Sequence, residues 1–139
     1  MSRRVPNRKK MLIRWAYNTT DAVKRFVPCN SLTSATVLNA GNYHAIWCPP
    51  AAGRVLKVSF YSSVTTMGST AVGTHINTGA YPSATAGETQ TQTVDTAALG
   101  YVFEFASSDF AAGDLLAISI DPTGNAGNQH GSLLLELDE

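Results

Sequence analysis

Arg54-Val55-Leu56-Lys57-Val58-Ser59-Phe60-Tyr61-Ser62 is the stretch that decides the fold. Val55, Lys57, Ser59 and Tyr61 alternate with Leu56, Val58 and Phe60, a period of two that suits a pleated strand and not a helix. The same period recurs downstream. Val102, Glu104 and Ala106 oppose Tyr101, Phe103 and Phe105, and Ile118 and Ile120 alternate with Ala117 and Ser119. Leu133, Leu135 and Leu137 alternate with Leu134, Glu136 and Asp138. Upstream, Leu12, Arg14 and Ala16 alternate with Ile13, Trp15 and Tyr17, which predicts a first strand with a heavily aromatic face.

Around these segments, strands are also predicted over Ala22–Val27, Ala35–Leu38, Tyr43–Cys48, Thr70–Asn77 and Thr89–Val94. The strong segments are predicted over Arg54–Ser62, Tyr101–Ala106, Leu115–Ile120 and Ser132–Leu137. Between them stand Gly41-Asn42, Pro49-Pro50-Ala51-Ala52-Gly53, Asn77-Thr78-Gly79 and Thr123-Gly124-Asn125-Ala126-Gly127-Asn128, all turn chemistry. No ten-residue helical period interrupts the series. The reading is all-β: a β-sandwich, jelly-roll-like, of eight to ten short antiparallel strands with an extended N-terminal arm. A chain of 139 residues fits one domain. The expected division is a basic arm over residues 1–14, running into the first strand, and a single sandwich domain over 15–139. Thr78–Gln92, poor in apolar residues, is expected to be a crossing loop or an exposed tip.

Charge is distributed very unevenly. Of ten basic residues, Arg3, Arg4, Arg8, Lys9, Lys10, Arg14, Lys24 and Arg25 lie in the first 25 positions with only Asp21 against them, a net +7. The other 114 residues hold Arg54 and Lys57 against nine carboxylates, a net −7. The overall charge of zero therefore hides a cationic end on an anionic body. With a Debye length of about 8 Å at physiological salt, the body does not neutralise an arm that reaches away from it. Such a chain suits docking of one end to a negative surface. Arg3, Arg4, Arg8, Lys9, Lys10 and Arg14 are the expected partner-binding residues.

Several function classes lack support in the residues. No run approaches the roughly 20 apolar residues of a membrane span, and Arg14 interrupts Met11-Leu12-Ile13 before a signal-peptide core can form. Cys29 and Cys48 each sit beside a proline, without CxxC spacing or further ligands, and read as buried thiols in neighbouring strands rather than a zinc or redox site. His44, His75 and His130 are scattered, so no metal or cofactor is expected. No GxSxG elbow, P-loop or dinucleotide glycine motif occurs. Asp109 and Asp114 flank Phe110-Ala111-Ala112-Gly113; a turn-bonding role for Asp114 is preferred to a glycosidase pair. Catalysis is not expected.

Trp15 and Tyr17 beside basic residues could stack on bases, but their spacing matches the core face of a strand, and the −7 body repels polyanions. Nucleic acid is therefore not the expected partner. The acidic end Glu136-Leu137-Asp138-Glu139 reads as a solvated terminus, with a charge lock for a neighbour's arm as the alternative.

The order of features from Ala22 onward resembles small β-sandwich virion proteins of tailed bacteriophages, of the capsid decoration (cement) type. Arg25-Phe26-Val27-Pro28, then Pro49-Pro50-Ala51-Ala52-Gly53-Arg54-Val55-Leu56-Lys57-Val58, carry the likeness. So do Phe103-Glu104-Phe105, Phe110-Ala111-Ala112-Gly113-Asp114-Leu115-Leu116-Ala117-Ile118-Ser119-Ile120-Asp121-Pro122 and the closing strand Ser132–Leu137. The resemblance implies a non-enzymatic homotrimer on the capsid exterior of the virion, bound to the major capsid protein and anchored through an extended terminus. The alternative is a tail or head fibre receptor-binding head whose loops, Thr78–Gln92 among them, contact a host glycan.

Overall fold

A computed structural model describes residues 8–29 and 31–138. Among them nine strands form two antiparallel sheets. The strands are β1 (Lys9–Tyr17), β2 (Arg25–Phe26), β3 (Gly53–Ser62), β4 (Gly68–Thr78), β5 (Glu88–Val94), β6 (Tyr101–Glu104), β7 (Asp109–Phe110), β8 (Asp114–Pro122) and β9 (Gln129–Leu137). One sheet runs β1-β9-β3-β6, with β7 also paired to β3; the other runs β2-β8-β4-β5. Six of the eight connections between successive strands cross from one sheet to the other, and the strand order is that of a jelly roll. The expected all-β sandwich is the observed fold.

Inward-facing residues of the two sheets meet in one core, the arrangement that packed sheets require. Trp15 and Tyr17 from β1, Val58 and Phe60 from β3, Phe103 from β6 and Leu133 and Leu135 from β9 face Val72, Leu116, Ile118 and Ile120. Phe60 and Phe103 stack with centroids 5.5 Å apart and planes 3° from parallel. Such aromatic pairs add about 0.5–1.5 kcal/mol beyond the area they bury. Gly131 lies opposite both Trp15 and Phe60 in the register. Its missing side chain is what lets the Trp15 ring lie across β9: a Cβ there would overlap the indole and sit 2.5 Å from the Ser59 carbonyl oxygen.

Three details depart from the expected strand map. Alternation in Arg54–Ser62 is broken by a bulge between Val55 and Lys57, so Val55, Val58 and Phe60 share the inner face. Ala35–Leu38 and Tyr43–Cys48 are not strands; the long connection between β2 and β3 contains isolated bridges at Ala35 and Trp47 and a 3-10 segment, Ala40–Ala45. Ala22–Val27 keeps strand pairing only at Arg25–Phe26, and Asp109–Phe110 adds a pairing that the alternation did not reveal. Thr89–Val94 is a strand as expected, within β5 (Glu88–Val94), so the connection expected over Thr78–Gln92 ends before Glu88.

The two outer faces differ. That of the β2-β8-β4-β5 sheet is covered by the chain's own connections. Phe26, Ala35, Ala45 and Ala117 form a second small core there, with Leu38 packed on it. Nearby, Gly73 leaves room for the 79–87 loop, since a Cβ would stand 2.7 Å from that of Ala86. His75, 1% exposed, joins this cover to the sheet: Nδ1 donates to the Ser83 carbonyl and Nε2 accepts from the Ser119 hydroxyl, both at 2.8 Å. On the β1-β9-β3-β6 sheet the outer face instead exposes Leu12, Tyr61 and Val102.

Candidate docking interface

β1 forms one edge of its sheet, pairing with β9 from Lys9↔Leu137 to Tyr17↔Gln129. The outer face of this sheet reads as a ladder of rungs. Lys10, Glu136 and Arg54 share one; Leu12, Leu134, Lys57 and Glu104 the next; Arg14, Ser132, Ser59 and Val102 the third; Ala16, His130 and Tyr61 the fourth.

Of the expected partner-binding residues, Lys10 and Arg14 stand on this ladder, two rungs apart. Arg3 and Arg4 lie outside the described residues. Arg8 precedes β1 and is bound within its own subunit: Nη1 donates to Glu136 Oε1 at 2.9 Å and Nε lies 3.5 Å from Asp138. Arg54 Nη2 reaches the same Glu136 oxygen at 2.7 Å. Hydrogen bonds from Arg8 and Arg54 hold the Glu136 carboxyl below its usual range. The acidic end is therefore neither wholly solvated nor reserved for a neighbour, since it clamps the chain's own basic segment.

Lys9 and Lys10 were expected in the arm ahead of the first strand and instead belong to β1, whereas Arg14 lies in that strand as its alternation with Leu12 and Ala16 indicated. Strand pairing starts at Lys9, because Leu12, Ile13 and Trp15 already have Leu134, Leu133 and Gly131 opposite them. Lys24 and Arg25 are used internally as well. Lys24 Nζ donates to the Ala84 carbonyl at 2.9 Å, and Arg25 pairs with Asp21. The cationic surface is thus the start of β1, not the whole 25-residue segment. Trp15 and Tyr17 face the core, as their spacing indicated.

The remaining groups weighed from sequence are placed as follows. Asp114 bonds its turn, Oδ2 accepting from the Ala111 amide at 2.8 Å and Oδ1 from the Thr78 hydroxyl. Neither cysteine lies in a strand; Cys29 is half-buried and Cys48 is exposed, against the expectation of two buried strand thiols. Among the described residues no three His, Cys, Asp or Glu groups are arranged to hold a metal ion, and no helix is long and apolar enough to cross a membrane.

Two features were not visible in the sequence. Glu88, at the start of β5, accepts from the Ser108 hydroxyl at 2.6 Å and from the Ala106 and Ser107 amides at 2.8 and 3.0 Å. Burial pushes its carboxyl up, but these bonds outweigh burial and bring it down to about 2. The other is a trough of about 740 Å³ on the bare sheet face. Its walls include Leu12, Arg14, Leu32, Tyr61 and His130. Tyr61 and His130 hold their rings 5.6 Å apart and 9° from parallel. No protein-family model matches the chain, and no curated protein does.

Proposed function

We propose that this protein is a non-enzymatic capsid decoration (cement) protein of a tailed bacteriophage. In this reading it sits on the capsid exterior as a homotrimer, and its basic leading end binds an acidic surface of the major capsid protein. The observation that carries the reading is the placement of Arg8, Lys9 and Lys10 together at the start of an edge strand, on a body whose remaining charge is negative. Arg3 and Arg4 precede them in sequence. An edge position also leaves β1 open to pairing with a strand of the shell. Three ends acting together turn modest single contacts into firm attachment.

Function as a cement follows from mechanics. A shell under internal pressure opens where capsomers meet, and an added subunit that bridges the joint supplies contacts without altering the shell protein. The sandwich suits that task in having few charges to desolvate, with charged residues only 14% of the chain.

The test is co-sedimentation with empty shells. Deleting residues 1–14 would remove most of β1 and damage the fold, so the informative variant replaces Arg3, Arg4, Arg8, Lys9 and Lys10 by serine. The expected result is an unchanged trimer by light scattering and lost shell binding. Retained binding by the substituted chain would reject the reading.

A further inference from the structure

We infer that the trough on the outer face of the β1-β9-β3-β6 sheet is a binding site for an acidic saccharide, a sugar ring that bears a carboxylate. This goes beyond attachment to a shell. Arg14 lies five residues along β1 from Lys9, about 17 Å at strand rise, so the trough and the basic leading end are separate places on one strand.

The chemistry of the trough points to its occupant. Its 15 lining residues include Arg14 and His130 but no Asp or Glu. Among the described residues no carboxylate pairs with Arg14, whereas Arg8, Arg25 and Arg54 all have acidic partners. An unpaired guanidinium in an acid-free depression is complementary to a carboxylate, which it can bind through two parallel hydrogen bonds. On the adjoining rung, the parallel rings of Tyr61 and His130 offer aromatic surface, with Tyr61 44% exposed. The apolar C–H face of a pyranose can pack on such rings.

On the same rung as Arg14 lie the Ser132 and Ser59 hydroxyls, 3.0 Å apart and bonded to each other. That pair has remaining donor and acceptor capacity for sugar hydroxyls. Leu12 and Leu32 bound the depression, 55% and 68% exposed. Its volume of about 740 Å³ falls within the range of small-molecule clefts, roughly 300–1,000 Å³. An acidic peptide would satisfy Arg14 but would leave the flat aromatic pair and the serine rung without matching groups. Saccharide is therefore the occupant argued for.

Nuclear magnetic resonance titration of the full chain tests this. One probe is a tetrasaccharide of alternating glucuronate and N-acetylglucosamine; the controls are neutral N-acetylglucosamine tetrasaccharide and a tetra-aspartate peptide. The expected result is saturable shifts at Arg14, Tyr61, His130 and Ser132 with the acidic sugar, and affinity at least tenfold weaker for each control. Arg14→Gln should lose the preference for the acidic sugar over the neutral one, and Tyr61→Ala should weaken both sugars. Both side chains are exposed, and an unchanged amide spectrum elsewhere verifies the fold. Absence of shifts in the trough, equal binding of the peptide, or preference intact in Arg14→Gln would each overturn the inference. None of these results bears on shell attachment, which the serine-substituted chain tests separately.

Discussion

Arg8 Nη1 and Glu136 Oε1 lie 2.9 Å apart, and Arg54 Nη2 shares that same oxygen at 2.7 Å. One carboxylate on β9 therefore joins a guanidinium from β3 to one just ahead of β1. In the proposed reading, an acidic shell surface would have to compete with Glu136 for Arg8.

Replacing Glu136 by Gln should accordingly tighten attachment to empty shells, by freeing Arg8, while lowering the melting temperature slightly. Acid acts in the same direction. The folded Glu136 carboxyl is held low, so its stabilising contribution is complete above the ordinary carboxylate range and is lost as pH falls through the folded value. Co-sedimentation at graded salt compares the two chains. Equal attachment would remove Arg8 from the docking surface.

Gly131→Ala should be among the costliest single-methyl changes in the chain. The new methyl would collide with the Trp15 indole and approach the Ser59 carbonyl oxygen at 2.5 Å. Because both neighbours are fixed by strand pairing, overpacking of about 1–3 kcal/mol is expected. Urea unfolding followed by tryptophan fluorescence measures it. A change within 0.5 kcal/mol, the range of ordinary surface substitutions, would mean that the Trp15 ring has somewhere else to go.

His75 makes the covered sheet face pH-sensitive. Its Nδ1 proton is committed to the Ser83 carbonyl, and burial, with a smaller contribution from the Lys24 charge, pushes the imidazole down. The sign follows directly. A lowered folded value means that stability is complete above the ordinary imidazole value of about 6.5 and declines as pH falls below it toward the folded value. The urea midpoint should therefore drop between pH 7.5 and pH 5, and His75→Gln should flatten that slope. An unchanged slope in the variant would assign the pH dependence elsewhere.

Glu88 governs a more acidic window. With its carboxyl brought down to about 2 from an ordinary 4.5, the tie between β5 and residues 106–108 should weaken as pH falls between those values. Glu88→Ala removes the acceptor of three hydrogen bonds, two of them from main-chain amides, and should cost about 1–3 kcal/mol at neutral pH. Hydrogen exchange at the Ala106 and Ser107 amides reads the loss locally. Unchanged protection at those amides in Glu88→Ala would show that the tie does not depend on the carboxylate.

Much of the fold is legible in the residues because burial on one sheet face imposes a period of two. Phe103, Leu133 and Leu135 fall on the inner face as their alternation requires, and Asp114 bonds its turn as its position before a strand suggests. The bulge after Val55 escapes this logic, since one extra residue inverts the phase while each half still alternates. The segments around Ala35 and Tyr43 escape it for another reason. Ala35, Leu38 and Ala45 cover the outside of a sheet and Trp47 joins the main core through an isolated bridge, so these segments resemble strands in composition without pairing as strands.

The basic segment was legible as charge but not as geometry. Arg8, Lys10 and Arg14 are close in sequence, yet Arg8 is drawn to Glu136 while Arg14 stands beside Ser132 and the trough. Only the register of β1 on β9 separates them. That register likewise brings His130 beside Tyr61, residues 69 positions apart in sequence.

For the decoration reading proposed above, cryo-electron microscopy of intact phage particles that contain this chain is the most direct measurement. Density for the sandwich on the capsid exterior, trimeric and with the start of β1 turned toward an acidic patch between capsomers, is the predicted result. The sandwich found at the tail, or on the shell with the start of β1 facing solvent, would contradict it.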